Sequence, residues 1–330
     1  MKIIIIFDNP GSGEISPDHA DVLYQAQSVR KTLTALGHEC SELGITLDLD
    51  RFIAEIKEMA PDLVFNLVES ISGKGSLIHI APSILDSLGI PYTGSNTDGI
   101  YRTSNKLFAK EWLKANSIPT PDYFSLEDYN KGNTRISGDY IIKSVWEHAS
   151  IGLDDKSIIA PESVKELINE MARRKNLLGG NCFAEKYIEG REFNLSMLAD
   201  SNGPEVLPPA EIQFNSYNEG KRKIVGYEAK WDQDSFEYNN TVRSFDFHDD
   251  DKHLLQHLKE LSIRCWKSFN IRGYCRVDFR VDENNQPWVL EINANPCISP
   301  DAGFMAAAAC AGLKAEEVTK RIVDDSDVII

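Results

Sequence analysis

Toward the C-terminal end, Arg276-Val277-Asp278-Phe279-Arg280-Val281 runs into residues 282–286 and returns as Pro287-Trp288-Val289-Leu290-Glu291-Ile292-Asn293. Both arms alternate polar and apolar residues with period two, the pattern of strands that bury one face. Arg276, Asp278 and Arg280 share one face of the first arm. Glu291 and Asn293 share a face of the second, and Trp288, Leu290 and Ile292 point the other way. With Asn284-Asn285 as a two-residue turn, Asp278 stands opposite Glu291 and Arg276 opposite Asn293. Directly opposed like charges destabilise a sheet by up to about 1 kcal/mol, and a divalent cation between them reverses that sign. Two carboxylates and an amide oxygen are hard ligands, suited to Mg²⁺ that also meets phosphate oxygens. Alone, the hairpin reads equally well as a solvated turn with incidental acids.

Upstream, residues 2–7 read as a buried strand. A helix follows with Val22, Ala26, Val29, Leu33 and Leu36 on one face, ending at Gly37. Residues 63–67 form a second apolar strand, and a helix over 78–88 stops at Gly89-Ile90-Pro91. This strand–helix alternation predicts a parallel sheet with covering helices, assigned to residues 1–100. Helical stretches then run to Asn116, and Pro119 and Pro121 block continuation. The pattern next predicts a strand at 140–143, a loop at 146–152 and a helix over 161–175. Strands follow at 183–187, 192–198, 205–214 and 223–229. A helix over 250–269 precedes the hairpin at 274–292. A small-residue helix spans 301–311, and the charged tail from Lys314 reads as a short surface helix. The fold class is α/β at the N-terminus and α+β overall.

Acidic residues outnumber basic ones 51 to 35 in a chain of 330, a formal charge of −16. Such a field repels phosphate backbones and anionic bilayers, which argues against nucleic acid and membrane partners. No apolar run approaches the roughly 20 residues of a membrane span. The apolar start is too short for a signal segment, so a cytoplasmic location is expected. Cys40, Cys182, Cys265, Cys275, Cys297 and Cys310 are scattered and read as reduced thiols rather than a zinc site. Gly11-Ser12-Gly13 lacks the third glycine of a dinucleotide fingerprint, because Ser16 occupies it.

The hairpin, extended through Ala294-Asn295-Pro296, resembles the metal-binding end of D-alanine–D-alanine ligases. Further blocks follow the same family's order. Gly89-Ile90-Pro91-Tyr92-Thr93-Gly94-Ser95 and Asn105-Lys106 resemble the entry to its ATP-grasp fold. Tyr140-Ile141-Ile142-Lys143 is similar to its second ATP-binding strand. Ala184-Glu185-Lys186-Tyr187-Ile188-Glu189-Gly190-Arg191-Glu192-Phe193 resembles its adenine-side hinge, and Tyr227-Glu228-Ala229-Lys230 its mobile loop. Together the blocks cover about residues 89–313.

The resemblance implies an N-terminal parallel-sheet domain followed by a two-lobed ATP-grasp fold, divided as 1–100, 101–185 and 186–330. It implies ATP and two Mg²⁺ ions, with Mn²⁺ as a substitute. Lys106 and Lys143 would neutralise nucleotide phosphates. Glu185 and the backbone of Lys186 and Ile188 would read the adenine, and Glu192 would hold the ribose. Lys230 would meet the transferred phosphoryl group, and Arg276 the oxyanion of a tetrahedral intermediate. Asp278, Glu291 and Asn293 would ligate the metals, and the 146–152 loop, with Ser150 as a catalytic member, would cover the triphosphate. The implied reaction is two-step: ATP converts a carboxylate into an acyl phosphate, which an amine attacks. Partners would be small amino acids or carboxylates, with a homodimer as the family-like assembly.

The sequence also departs from the family. The glutamate expected in the first loop has only Glu14 as a candidate within residues 8–18. The His-Gly and Glu-Asp-Gly segment is replaced by residues 66–75, with Glu69 and Lys74. Ala149, Trp231 and Cys297 stand where Ser, Tyr and Gly are expected. These changes leave ATP activation in place and put D-alanine specificity in question. Competing readings are a dipeptide ligase of secondary metabolism, another small-carboxylate ligase, and a nucleotide-binding module without turnover.

Overall fold

A computed structural model describes residues 1–9, 17–132, 135–146, 150, 152–218 and 220–328. Its first sheet joins β1 (Lys2–Asp8), β2 (Glu39–Ile45) and β3 (Leu63–Asn66), all parallel, in the order β2-β1-β3. The run of isoleucines in β1 is explained by burial on both faces, as parallel sheets require. Ile3 and Ile5 face a core containing α1 (Pro17–Ala35). Ile4 and Ile6 face one containing α2 (Leu49–Met59) and α3 (Ile80–Leu88). Gly37, at φ 87°, lets the chain reverse after α1. The helices α4 (Thr97–Ser104) and α5 (Lys106–Ala115) carry the chain onward, and Asn96 and Asn105 cap their first turns through side-chain bonds to Gly99 and Phe108.

The second sheet has the order β4-β7-β5-β6 and is antiparallel. It comprises β4 (Tyr123–Phe124), β5 (Tyr140–Ser144), β6 (Ile158–Ile159) and β7 (Cys182–Lys186). Between them lie α6 (Leu126–Asn130) and α7 (Val164–Arg174), the latter packing Leu167 and Met171 onto Phe124, Tyr140 and Ile142. The third sheet runs β11-β10-β8-β12-β13, with β9 also on β8. Its strands are β8 (Arg191–Asp200), β9 (Gly203–Val206), β10 (Ala210–Phe214), β11 (Thr241–Ser244), β12 (Tyr274–Val281) and β13 (Pro287–Asn293). Interspersed are α8 (Tyr227–Trp231), α9 (Phe236–Asn240) and α10 (Lys252–Ser268), whose Leu254, Leu258 and Leu261 cover Phe193, Leu195 and Val277. The chain continues through α11 (Gly303–Cys310) and α12 (Ala315–Asp324).

Four sequence expectations change. The strand expected over 205–214 is two strands, because Pro208 and Pro209 lack the N–H a ladder needs. The strand expected over 223–229 is instead a loop leading into α8. Gly226 passes so close to Leu153 that a Cβ would sit 2.7 Å from its carbonyl oxygen. The tail is not a free surface helix, since Val318, Ile322 and Val323 are buried in the core shared with α1. In the hairpin, Asp278 does pair with Glu291 and Arg276 with Asn293, but a β-bulge shifts the register between Asp278 and Phe279. Val289, not Leu290, therefore joins Ile292 in the core.

Candidate active site

Both antiparallel sheets line one cleft with a cavity volume of about 810 Å³. Of the expected site residues, Ser150, Lys143, Glu185, Lys186, Ile188, Glu192, Lys230, Arg276, Asp278, Glu291 and Asn293 line it. Lys106 does not, but its ammonium lies 3.3 Å from Glu291 Oε1, at the cleft's edge. Ser150, with φ 59°, donates its hydroxyl to the Val225 carbonyl at 2.8 Å, tying the second sheet's loop to the segment before α8. Residues 147–149 and 151 of that loop, and Glu14, lie outside the described residues.

At one end, Glu185 is buried between two lysines. Its Oε2 is 2.5 Å from Lys110 Nζ and its Oε1 is 2.5 Å from Lys143 Nζ. Burial alone would neutralise this carboxyl; Lys110 and Lys143 together outweigh burial and hold it below its usual range. Burial pulls Lys110 down to about 8 despite Glu185. Its ammonium also donates to Thr120 Oγ1 at 2.9 Å and the Pro121 carbonyl at 3.1 Å. Nearby, Glu192 is pushed up by burial, with Arg280 at 2.8 Å as its counter-charge. Arg280 in turn donates to the carbonyls of Gly190 and Lys223.

At the hairpin, Asp278 accepts from Arg276 Nε at 2.7 Å, from Arg276 Nη2 at 2.9 Å and from Asn194 Nδ2 at 2.8 Å. Burial opposes the charge of Arg276, and Asp278 more than restores it, raising its pKa. Lys230 is shifted down, first by crowding and then by Arg276, although its side chain reaches the cleft's solvent. Asn293 Oδ1 accepts from the Asn295 backbone at 3.0 Å, which holds the amide beside the carboxylates. Asp278, Glu291 and Asn293 thus share the cleft on paired strands. This set fits Mg²⁺, which is bound by one or two carboxylates and leaves its other positions to phosphate and water. Its like charges are compensated by Arg276 and Lys106. Among the described residues, no group of three His, Cys, Asp or Glu side chains could hold a metal.

Another part of the lining is acidic. Asp8, Asp21 and Glu69 line the cleft from the ends of β1 and β3 and from α1. Ser70 donates to Asp8 at 2.8 Å, and Ser299 to Asp21 at 2.9 Å. Burial, then Asp8 and Asp21, push Glu69 up to about 8.

The family model described as D-ala D-ala ligase C-terminus matches residues 113–324, almost two thirds of the chain. The chain belongs to the D-alanine–D-alanine ligase family. It is 29% identical to a D-alanine–D-alanine ligase of Moorella thermoacetica over 98% of both chains. It is 28% identical to an uncharacterized protein of Sinorhizobium fredii, over 91% of this chain and 86% of that one. The ATP-complexed D-alanine–D-alanine ligase of Bacillus anthracis superposes with a TM-score of 0.71 at 20% identity, covering 99% and 96% of the two chains. Membership makes this D-alanine–D-alanine ligase relative an ATP-dependent ligase that forms a peptide-type bond, on the ATP-grasp fold. No helix among the described residues is long and apolar enough to cross a membrane.

Within this family member, Trp231 and Cys297 both line the cleft, as the departures at those positions foreshadow. Sequence reading missed three of its residues. Lys110 had a signal: it sits beside Ala109 on the buried stripe of α5, where a lysine needs a partner. Asp21 had none in its helix pattern. Arg243 lies in a strand the pattern did not predict.

Proposed function

We propose that this ligase uses ATP to activate the carboxylate of a small amino acid as an acyl phosphate, and then joins it to the amine of a second amino acid. The observation that carries the reading is the convergence, in one cleft, of a buried Lys143–Glu185 pair with Arg276, Lys230, Asp278, Glu291 and Asn293. Lys143 and Lys106 neutralise phosphate charge, and Lys230 faces the phosphoryl group in flight. The hinge of residues 185–188 receives the adenine, and Glu192 the ribose hydroxyls. Asp278, Glu291 and Asn293 are the candidate ligands for two Mg²⁺ ions, with Mn²⁺ as a substitute. When bound, these ions neutralise the triphosphate. Arg276, steadied by Asp278, offers a fixed cation where the oxyanion of the tetrahedral species develops. Ser150, bonded to the Val225 carbonyl, braces the segment before α8, and a closed cleft would keep water from the acyl phosphate.

Trp231 and Cys297 reshape the substrate end, so the pair joined need not be two D-alanines; a dipeptide ligase with other small amino acids fits the same machinery. The intact lysines, acids and amide argue against a nucleotide-binding module without turnover. We further infer units at 1–100, 101–185 and 186–330, a homodimer and a cytoplasmic location. The test is phosphate release from ATP across a panel of D- and L-amino acids, with and without Mg²⁺. Release that needs both the metal and an amino acid is the expected result. No stimulation by any amino acid or small carboxylate would end the ligase reading.

A further inference from the structure

Arg243 has no role in the arrangement above. It lies in β11 opposite Ile212, and both residues line the cleft. Its guanidinium rests on Gly303. A Cβ there would stand 3.1 Å from Nη2, 3.4 Å from Cζ and 3.5 Å from Nε, so any side chain at 303 would crowd the group. Among the described residues the guanidinium makes no hydrogen bond and no ion pair. Its side chain reaches solvent within the cleft, yet the walls crowd it. That crowding, and then the neighbouring charge of Arg276, weigh against its own charge, with Asp301 offsetting them in part. A guanidinium stays protonated. The fork of Arg276 is already taken by Asp278, whereas that of Arg243 is open to an anion. A planar fork matches a carboxylate through two parallel N–H bonds.

Two carboxylates enter the reaction, and only one is consumed. The donor's becomes the acyl phosphate, beside Arg276, Lys230 and the hairpin acids. The acceptor's, if it has one, survives into the product and needs a cation other than the one that meets the oxyanion. We propose that Arg243 is that cation: it binds the carboxylate of the amine substrate, and so sets the preference for the amino-acid acceptor over its amide. Gly303 supports the assignment by leaving room for the guanidinium. The inference rests on the ligase reading.

Two experiments separate the failure of one from the failure of the other. The first supplies hydroxylamine as the amine, with ATP, Mg²⁺ and each amino acid of the panel, using the wild-type enzyme. Because hydroxylamine has no carboxylate, acyl hydroxamate formation reports activation alone. If none forms with any amino acid, the ligase reading falls and this inference with it. The second measures kcat/KM for the best amino-acid acceptor and for its primary amide, in wild type, Arg243→Gln and Gly303→Ala. The wild type should prefer the acid. Arg243→Gln should cut that preference about tenfold or more through the acceptor KM. Gly303→Ala, which keeps the arginine but displaces it, should move the preference the same way by less. An acid-to-amide ratio unchanged by Arg243→Gln overturns the proposal alone, as does a rise in the KM for ATP in place of the acceptor KM.

Discussion

The two ends of the cleft treat charge in opposite ways. At the end holding Glu185 and Glu192, buried charges already have protein partners: Lys110 and Lys143 hold Glu185, and Arg280 holds Glu192. At the other end like charges crowd together: Asp8 and Asp21 near Glu69, and Arg276 near Arg243. Chain folding joins opposite charges in the first set. In the second, Ser70 donates to Asp8, Ser299 to Asp21, and Asp278 holds Arg276, yet like charges remain neighbours. We propose that the second set is where the amino-acid substrates bind, which would let one scaffold keep its activation chemistry while its substrates change.

Breaking the hairpin acids should have the largest effect. Glu291→Gln should lower ligase turnover on the order of 10²–10³-fold, as losing a preorganised electrostatic element does. Its unfolding midpoint should stay near wild type, and steady-state kinetics beside a melting curve would check both. Unchanged turnover would refute the metal assignment. Next, Lys110→Ala strips the paired end of one partner. Removing one member of a buried pair costs about 3 kcal/mol, read from urea denaturation at neutral pH. A negligible loss would mean that Lys143 alone satisfies Glu185.

The crowded end should show in pH dependence. Glu69 has its folded-state value raised to about 8, from 4.5 for an ordinary glutamate. Between those values the folded state holds more protons than the unfolded state, so stability falls as pH rises through that window and is flat beyond it. Partial exposure of the side chain limits the contribution to on the order of 2 kcal/mol. Glu69→Gln should flatten that decline in the ligand-free enzyme, and equal slopes for the two proteins would rule out the like-charge account. The smallest effect belongs to Lys114, whose pair with Asp122 at 2.9 Å is largely exposed. Lys114→Ala should shift stability by less than about 0.5 kcal/mol, which sets the baseline against which Lys110→Ala is judged.

The pairing of Asp278 with Glu291 was legible because two errors cancelled. The expected two-residue turn at Asn284-Asn285 sets a register one step off near the loop, where Arg280 pairs with Trp288 and Val281 with Pro287. The bulge adds the missing step, so Asp278 still meets Glu291. Period-two alternation sees neither feature, because a bulge depends on the contacts of the whole sheet; the misread face of Leu290 is the visible trace. The missed strand at 241–244 has the same origin. Thr-Val-Arg-Ser is too short and too polar to stand out, and it becomes a strand only because β10 offers it a free edge.

By itself, the sequence determined the parallel N-terminal sheet, the order of the family-like blocks and the pairing of the hairpin acids. Each is carried by local period or by residue types at short spacing, which survive without knowledge of the fold. Only the tertiary structure decided that Lys110 completes Glu185, that α12 closes the N-terminal core, and that Asp8, Asp21 and Glu69 share a cleft with Arg243. Those pairings join segments scores of residues apart. Chain packing creates them, and with them the desolvation and the crowding of like charge that set the chemistry of the cleft.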